Sequence, residues 1–528
     1  MSRDFQLAGR SPVISCEGMA ATSHPLATLA AIDALRAGGT AADAAVAAVA
    51  TLCVVEPHMT GIAGDCFCQI STPGKPLWAY NGSGRAGAKA SAEALRAQGM
   101  SAIGMTSVHA VTVPGSIEAW EEILKAHGRF GLDRALQPAI KYAEGGFPVA
   151  QRVAWDWNHT YLAKLKADPG ATRHYLFDGK APQEGDVIRL PALAQTLKTI
   201  AAKGARAFYE GEIADDMAAT VAARGSFLTS EDFARHRGDV AVPISSNYRG
   251  LDIFEIPPNG QGLTALMMLN ILENFDLSSL DPQGAERFHL VLEAARLGYA
   301  MRDTHIADPG HMRLPAGNLL DKAWAKKLAA LIDMEKRAKL PPAPTPGSDT
   351  VYLTVVDRDR MAVSFINSLF SGFGTGICTE KTGILLNNRA ACFTLEAGHP
   401  NEFGPNKRPM HTIIPAMAMR DGRCDMSFGV MGAHYQPMGH VQIVNNMLDF
   451  GMDVQQAIDA PRFFFEDEQT IVEHGTPPAT VQGLKARGHD VVMAPAPWGG
   501  AQVIKIDWDR GVLIAGSEPR KDGCALGY

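Results

Sequence analysis

Hydrophobic positions recur at helical spacing through the first two-thirds of the chain and switch to alternation in the last third. Residues 19–57 read as helical. His24-Pro25-Leu26 opens a segment carrying Leu29, Ile32 and Leu35, and Gly38-Gly39 closes it. Residues 41–55 are so uniformly small and apolar that their helix is expected to be buried on most sides. The Gly-rich stretch 56–65 reads as a turn that leads into paired strands at 66–70 and 77–80. Ser116 is placed to cap a helix with Ile117, Trp120, Ile123 and Leu124 as its apolar positions, and Leu132, Leu136 and Ile140 mark another, stopped by Gly145-Gly146. Further helices are predicted over 192–202, 212–223, 230–236, 263–272, 285–302 and 321–338, with a strand at 251–256 that ends in Pro257-Pro258-Asn259-Gly260-Gln261-Gly262.

The switch in period comes after a run containing Pro341, Pro342, Pro344 and Pro346, which can be neither helix nor central strand and reads as an extended, exposed linker. Residues 350–356, rich in β-branched and aromatic side chains, and 361–369 read as two strands about a polar turn at 357–360. Strands at 383–388, 411–419, 425–430, 469–473, 501–507 and 511–516, and helices at 439–450 and 454–460, complete the chain. There is no internal repeat.

Composition narrows the classes. Apolar residues make up 46% and charged residues 20%, as in a globular protein with a large core. The net charge of −7, with no basic run, speaks against nucleic acid as a partner. No apolar run reaches membrane-spanning length, and the start lacks a basic-then-apolar secretion pattern, so a cytoplasmic protein without membrane contacts is expected. Cys16, Cys53, Cys66, Cys68, Cys378, Cys392, Cys424 and Cys524 form no CxxC pair and no zinc-ligand spacing, and neither a metal nor a cofactor is expected.

The chemistry suggested by the switch point is specific. Thr350 is a hydroxyl residue placed where a loose linker enters a sheet. A cut between Asp349 and Thr350 would make it N-terminal, and its own α-amine, with a pKa of about 7.7–8.0, could then take the hydroxyl proton. Before the cut that nitrogen is an amide, and the uncut chain would be a zymogen. A plain hairpin after a surface linker fits the same stretch. Elsewhere, Gly82-Ser83-Gly84-Arg85-Ala86-Gly87 matches a dinucleotide-binding glycine pattern. No Asp or Glu occurs between Glu93 and Glu118 to play the ribose-binding acid, and a tight turn is the reading adopted.

Several segments together resemble the γ-glutamyltransferase (glutathione hydrolase) family of N-terminal-nucleophile hydrolases: LRAGGTAADAAVAA, VVEPHMTGIAGDCF, PPNGQG, the Thr350 segment, FGTGICTEKTGILLNN, GPNKRP and the closing EPRKDGCALGY. The resemblance covers nearly the whole chain. It implies an α+β fold, an αββα sandwich with two stacked antiparallel sheets between helical layers. It also implies self-cleavage into a large fragment, 1–349, and a small one, 350–528, held in one folded unit as an α/β heterodimer that could dimerise further. Thr350 falls on the nucleophile, Ser368 on a hydroxyl that touches it, and Gly432 and Ala433 on the two backbone N–H groups of the oxyanion hole.

The departures bear on substrate. Gly82-Ser83-Gly84 stands where the family has its carboxylate-gripping arginine, with Arg85 just downstream. Cys392 replaces the aspartate that binds the substrate ammonium, Arg389 replaces a glutamine, His411 and Thr412 replace paired serines, and Phe370 replaces an asparagine. The ammonium acceptor is gone, whereas Arg85 and Arg389 could hold a carboxylate in bidentate fashion. The pattern is similar to the divergent branch of the family that includes oxamate amidohydrolase. The expectation is an autoprocessing amide hydrolase acting through Thr350 on a small amide with a nearby carboxylate, either a γ-glutamyl compound such as glutathione or an oxamate-like amide. The alternatives are an uncleaved, weakly active relative that binds a small acid and a nucleotide-dependent oxidoreductase built on the Gly82–Gly87 run.

Overall fold

The computed structural model describes residues 6, 9–339 and 350–528; the Pro-rich run and the Asp349 side of the expected cut lie outside the described residues. Two seven-stranded antiparallel sheets form the centre. One runs, in spatial order, Cys524–Gly527, Met19–Thr22, Val351–Val356, Ala362–Ser368, Asp65–Ser71, Trp78–Gly82 and Asp239–Ala241. The other runs Val13–Ser15, Val512–Ser517, Gly500–Asp507, Arg423–Met431, Ala416–Arg420, Leu251–Glu255 and Ile244–Tyr248. Each sheet contains strands from both sides of residues 340–349.

Helices cover the outer faces. Ala41–Val55 starts on a Thr40–Asp43 capping box, is buried along its whole length, and rests on the first sheet with Pro25–Arg36 and Gln137–Gly145 beside it. Gly262–Leu272, Ala285–His305 and Gln436–Leu448 cover the second sheet with a separate apolar cluster. Between the sheets a third cluster joins Met19, Val356 and Ala362 to Met417, Ile504 and Leu513. The layering is therefore αββα. No helix among the described residues is long and apolar enough to cross a membrane.

The inward face of the Val351–Val356 strand can be read from its contacts. Thr354 Oγ1 donates to Ser427 Oγ of the facing sheet (2.7 Å), and the Tyr352 ring lies where a Cβ on Gly429 would be, 2.3 Å away. Side chains alternate along a strand, so even-numbered residues, Thr350 included, point between the sheets.

Four expectations are corrected. Met19–Thr22 is a strand, because it fills the slot between Cys524–Gly527 and Val351–Val356, and tertiary pairing overrides helical propensity. The helix expected at 321–338 is only Lys322–Ala329; the chain beyond it is held by partners elsewhere, such as Arg337 N–H donating to Arg487 O. Residues 383–388 form no strand. They make local bonds (Leu386 N–H to Ile377 O) while the Asn387 and Asn388 amides reach to Ala63 O, Thr112 O and Met105 O. The strand expected at 411–419 starts only at Ala416, because His411 pairs with the loop at Asn259 and Gln261.

Candidate active site

Strand register aligns one row of side chains at the end of the first sheet. Val351 lies opposite Asn367, which sets Thr350 opposite Ser368, and Ser368 lies opposite Asp65. Directly opposed residues project on the same face. Thr350 Oγ1 and Ser368 Oγ share a hydrogen bond of 3.0 Å, both fully buried, and Phe370 N–H donates to Ser368 Oγ at 2.8 Å. The 61–64 turn packs flat on this point, since a Cβ on Gly64 would stand 2.4 Å from Ser368 O.

Arg389, His411 and Thr412 converge on the same row. Arg389 is completely buried. Its Nη1 donates to Thr412 Oγ1 (2.7 Å), its Nε faces Asp65 Oδ2 (3.5 Å), and its guanidinium carbon stands 4.6 Å from the centroid of the Phe370 ring. Asp65 Oδ2 accepts from His411 Nε2–H (2.9 Å), and Oδ1 accepts from Gly84 N–H (2.8 Å). Burial alone would raise the Asp65 pKa. The His411 hydrogen bond, the Arg389 charge and the Gly84 N–H outweigh it and hold the carboxyl below its usual range. Burial, reinforced by the Arg389 charge, pushes His411 down to about 4, so its ring is neutral near pH 7, with Nδ1 accepting from Ile413 N–H (3.3 Å). Burial also raises the Cys392 thiol, against the pull of Arg389, and keeps it protonated.

The opposite wall is the turn after strand Arg423–Met431. Gly432 adopts φ 130° and Ala433 φ 46°, a left-handed conformation that costs an L-residue about 1–2 kcal/mol. Gln261 pins the turn: its Nε2 donates to Ala433 O (2.8 Å) and Thr412 O (2.7 Å), and Arg302 Nη1 donates to its Oε1 (2.8 Å) and to His434 Nδ1 (3.0 Å). Among the described residues the N–H groups of Gly432 and Ala433 donate to no protein acceptor. The His434 ring meets Phe370 edge-on at 6.1 Å, which brings this turn beside the Thr350–Ser368 pair. A hydroxyl pair beside a turn that offers two backbone N–H groups is the equipment of acyl transfer.

The structure gathers Thr350, Ser368, Arg389, His411 and Thr412 and sets Gly432 and Ala433 against them. It does not bring in Arg85. That side chain is about one-third exposed, donates to Arg237 O (3.1 Å) and pairs with Asp239 (3.1 Å), so the two-arginine clamp is corrected to Arg389 alone. The cause is local: a Cβ on Gly84 would stand 1.5 Å from Val113 O, so the backbone there is pressed flat against residue 113 and the next side chain turns outward. The neighbouring glycines serve the same close packing, with Gly82 against Ala119 and Gly87 against Phe227 O, and the helix that follows is only Ala92–Ala97. Asp65 and Gln261 were missed as site residues. The signals were an acid at the end of a Gly-rich turn just before a strand, and the glutamine of the Pro-Pro-Asn-Gly-Gln-Gly loop.

One group among the described residues has metal-ligand composition: His289, Glu293 and His489, all buried. Their atoms are engaged in a relay. Thr470 Oγ1 lies 2.9 Å from His489 Nδ1, His489 Nε2 lies 2.8 Å from His289 Nδ1, and His289 Nε2 lies 2.7 Å from Asp333 O, while Glu293 binds Arg296 and Ala338 N–H. Neutral imidazoles satisfy every link, and the cluster is read as structural.

Residues 27–528 match the family model described as gamma-glutamyltranspeptidase. The chain is 40% identical to the glutathione hydrolase-like YwrD proenzyme of Bacillus subtilis, over 98% of this chain and 99% of the relative. It is 35% identical to the oxamate amidohydrolase proenzyme of Klebsiella pneumoniae, again over 98% and 99%. Among solved structures, a cephalosporin acylase from Bacillus halodurans superposes with a TM-score of 0.93 at 38% identity, covering 100% of this chain and 99% of that one.

Proposed function

The chain belongs to the gamma-glutamyltranspeptidase family, and from that premise we propose that it is an autoprocessing amide hydrolase whose nucleophile is Thr350. The observation that carries the reading is the Thr350–Ser368 hydroxyl pair, 3.0 Å apart, at the sheet end that faces the Gly432–Ala433 turn. In maturation, Thr350 Oγ1 adds to the Asp349 carbonyl. The amide C–N bond breaks, the hydroxyl proton passes to the departing nitrogen, and an ester remains. That step has already freed the Thr350 amine; water then hydrolyses the ester, releasing the Asp349 carboxylate and the Thr350 hydroxyl and leaving fragments 1–349 and 350–528 as a heterodimer.

In turnover the freed amine takes the Oγ1 proton as Oγ1 attacks the substrate amide carbon. The Gly432 and Ala433 N–H groups receive the developing oxyanion, where one such donor is worth about 2.7–4 kcal/mol. Collapse breaks the amide C–N bond, and the ammonium of Thr350 protonates the leaving amine. Water then hydrolyses the acyl-enzyme. Ser368 Oγ orients the nucleophile, and Arg389 binds a carboxylate on the acyl side of the substrate. Oxamate, named for one relative, is such an amide, and glutathione, named for others, also carries a carboxylate near its amide.

The test is intact mass of purified wild type beside Thr350→Ala, followed by turnover of an oxamate-like amide and a γ-glutamyl anilide. Two fragments in the wild type alone are expected, with the oxamate-like amide preferred. A wild type that stays one polypeptide and still hydrolyses amides would refute the mechanism, and an uncut protein that only binds small acids would favour the non-enzymatic alternative.

A further inference from the structure

Arg389 presents three nitrogens to its surroundings, and two are directed by protein groups: Nη1 by Thr412 Oγ1 and Nε by Asp65. Neither Nε nor Nη2 has a hydrogen-bond partner among the described residues, but Nε is turned to the Asp65 carboxylate at 3.5 Å, which leaves Nη2 as the buried edge with no acceptor opposite it, an arrangement that normally points to a ligand. The neighbouring Cys392, a protonated thiol, is a poor acceptor. What fixes the guanidinium plane is therefore the pair Thr412 and Asp65, with the Phe370 ring below it.

Asp65 is tied in turn on every side. Gly84 N–H holds Oδ1, His411 Nε2–H holds Oδ2, and the ring of His411 is braced 4.7 Å from that of Phe67. The residue sits one place beyond Ser368 in the row that begins at Thr350. Its charge also offsets that of Arg389, both side chains being fully buried, where an unpaired guanidinium would be costly.

We propose that Asp65 is the positioning residue for substrate specificity: it orients Arg389 so that the Nη2 edge alone is offered to the substrate carboxylate. The inference rests on the amide-hydrolase reading above and deepens it. Recognition through one edge of an already neutralised guanidinium suits a small monocarboxylate amide. The His411 ring belongs to the same device, as a neutral donor that keeps the carboxylate from rotating.

The test compares two chromogenic substrates, a nitroanilide bearing a free carboxylate on its acyl side and its neutral carboxamide counterpart, with matured wild type, Asp65→Asn, Arg389→Gln and the double variant. The readout is the ratio of kcat/KM for the charged substrate to that for the neutral one. Asp65→Asn is expected to lower that ratio by about tenfold or more, mostly through KM, and to add nothing in the Arg389→Gln background. A ratio within about twofold of wild type, or effects of the two substitutions that simply multiply, overturns the proposal. A merely structural role would depress both substrates together and leave the ratio in place. If Asp65→Asn stays uncut, Asp65→Glu is read instead, and a ratio unmoved by that longer stem overturns the proposal as well. Failure of the wild type to cleave defeats the underlying reading, whereas a cut, active enzyme with an unmoved ratio defeats only this one.

Discussion

At the scale of single residues the site depends on contacts that one atom can remove. Ser368 Oγ both meets the Thr350 hydroxyl and accepts from Phe370 N–H, and that second bond helps hold Phe370 at φ 89°, where an aromatic residue is strained. Ser368→Ala should lower kcat by roughly ten- to a hundredfold, and Ser368→Thr should restore it; steady-state rates of the two matured variants decide this. Ala433 presents its N–H from φ 46°, a conformation that glycine adopts freely. Ala433→Gly should therefore keep full activity, and a large fall in kcat would show that the methyl group has a role of its own. Thr350, Ser368, Arg389, His411 and Thr412 could be singled out in the sequence because each sits at a motif position. Asp65 offered only the signal of an acid closing a Gly-rich turn, because its role comes from register across three strands, and pairing partners far apart in the chain are invisible to local pattern.

At the scale of elements, the two sheets meet closely where a side chain is missing. The Tyr352 ring occupies the space over Gly429, and its hydroxyl shares a 2.8 Å hydrogen bond with Ser364 Oγ on the next strand. Gly429→Ala should cost about 1–3 kcal/mol, or prevent maturation, by forcing the sheets apart just below Thr350. Denaturant midpoints in a Thr350→Ala background, which isolates folding from cleavage, measure that cost. Regular elements with strong periodicity were legible: the Ala41–Val55 helix and the Val351–Val356 and Ala362–Ser368 hairpin lie where the pattern put them. The failures share a cause. Met19–Thr22 is too short and Ala-rich to declare itself a strand, and 383–388 looks like one although its polar side chains serve neighbouring loops.

At the scale of the whole molecule, the relay from Thr470 through His489 and His289 to Asp333 joins segments on both sides of residue 350. Burial, then the neighbouring His289, pushes His489 down to about 3. A histidine whose folded pKa lies below its unfolded value near 6.5 binds fewer protons in the folded state across that window, so its contribution to stability falls as pH drops from about 6.5 towards 3. His489→Gln removes this titration. The variant should be less stable than wild type near pH 7, and the gap in melting temperature should narrow on acidification, by roughly 1–3 kcal/mol of wild-type stability between pH 6.5 and 4. Melting curves of both proteins across that range check the sign; a gap that widens contradicts the assignment of neutral imidazoles.

The interleaving of strands has a consequence for the life of the molecule. Met19–Thr22 is sandwiched between Cys524–Gly527 and Val351–Val356, so each prospective fragment supplies neighbours that the other needs to complete a sheet. On the proposed cut, the linkage that brought those neighbours together is lost while the weave persists. A heated and cooled precursor should regain its shape; the nicked enzyme, once dispersed, should not, and its activity would be a one-time inheritance from the unbroken thread.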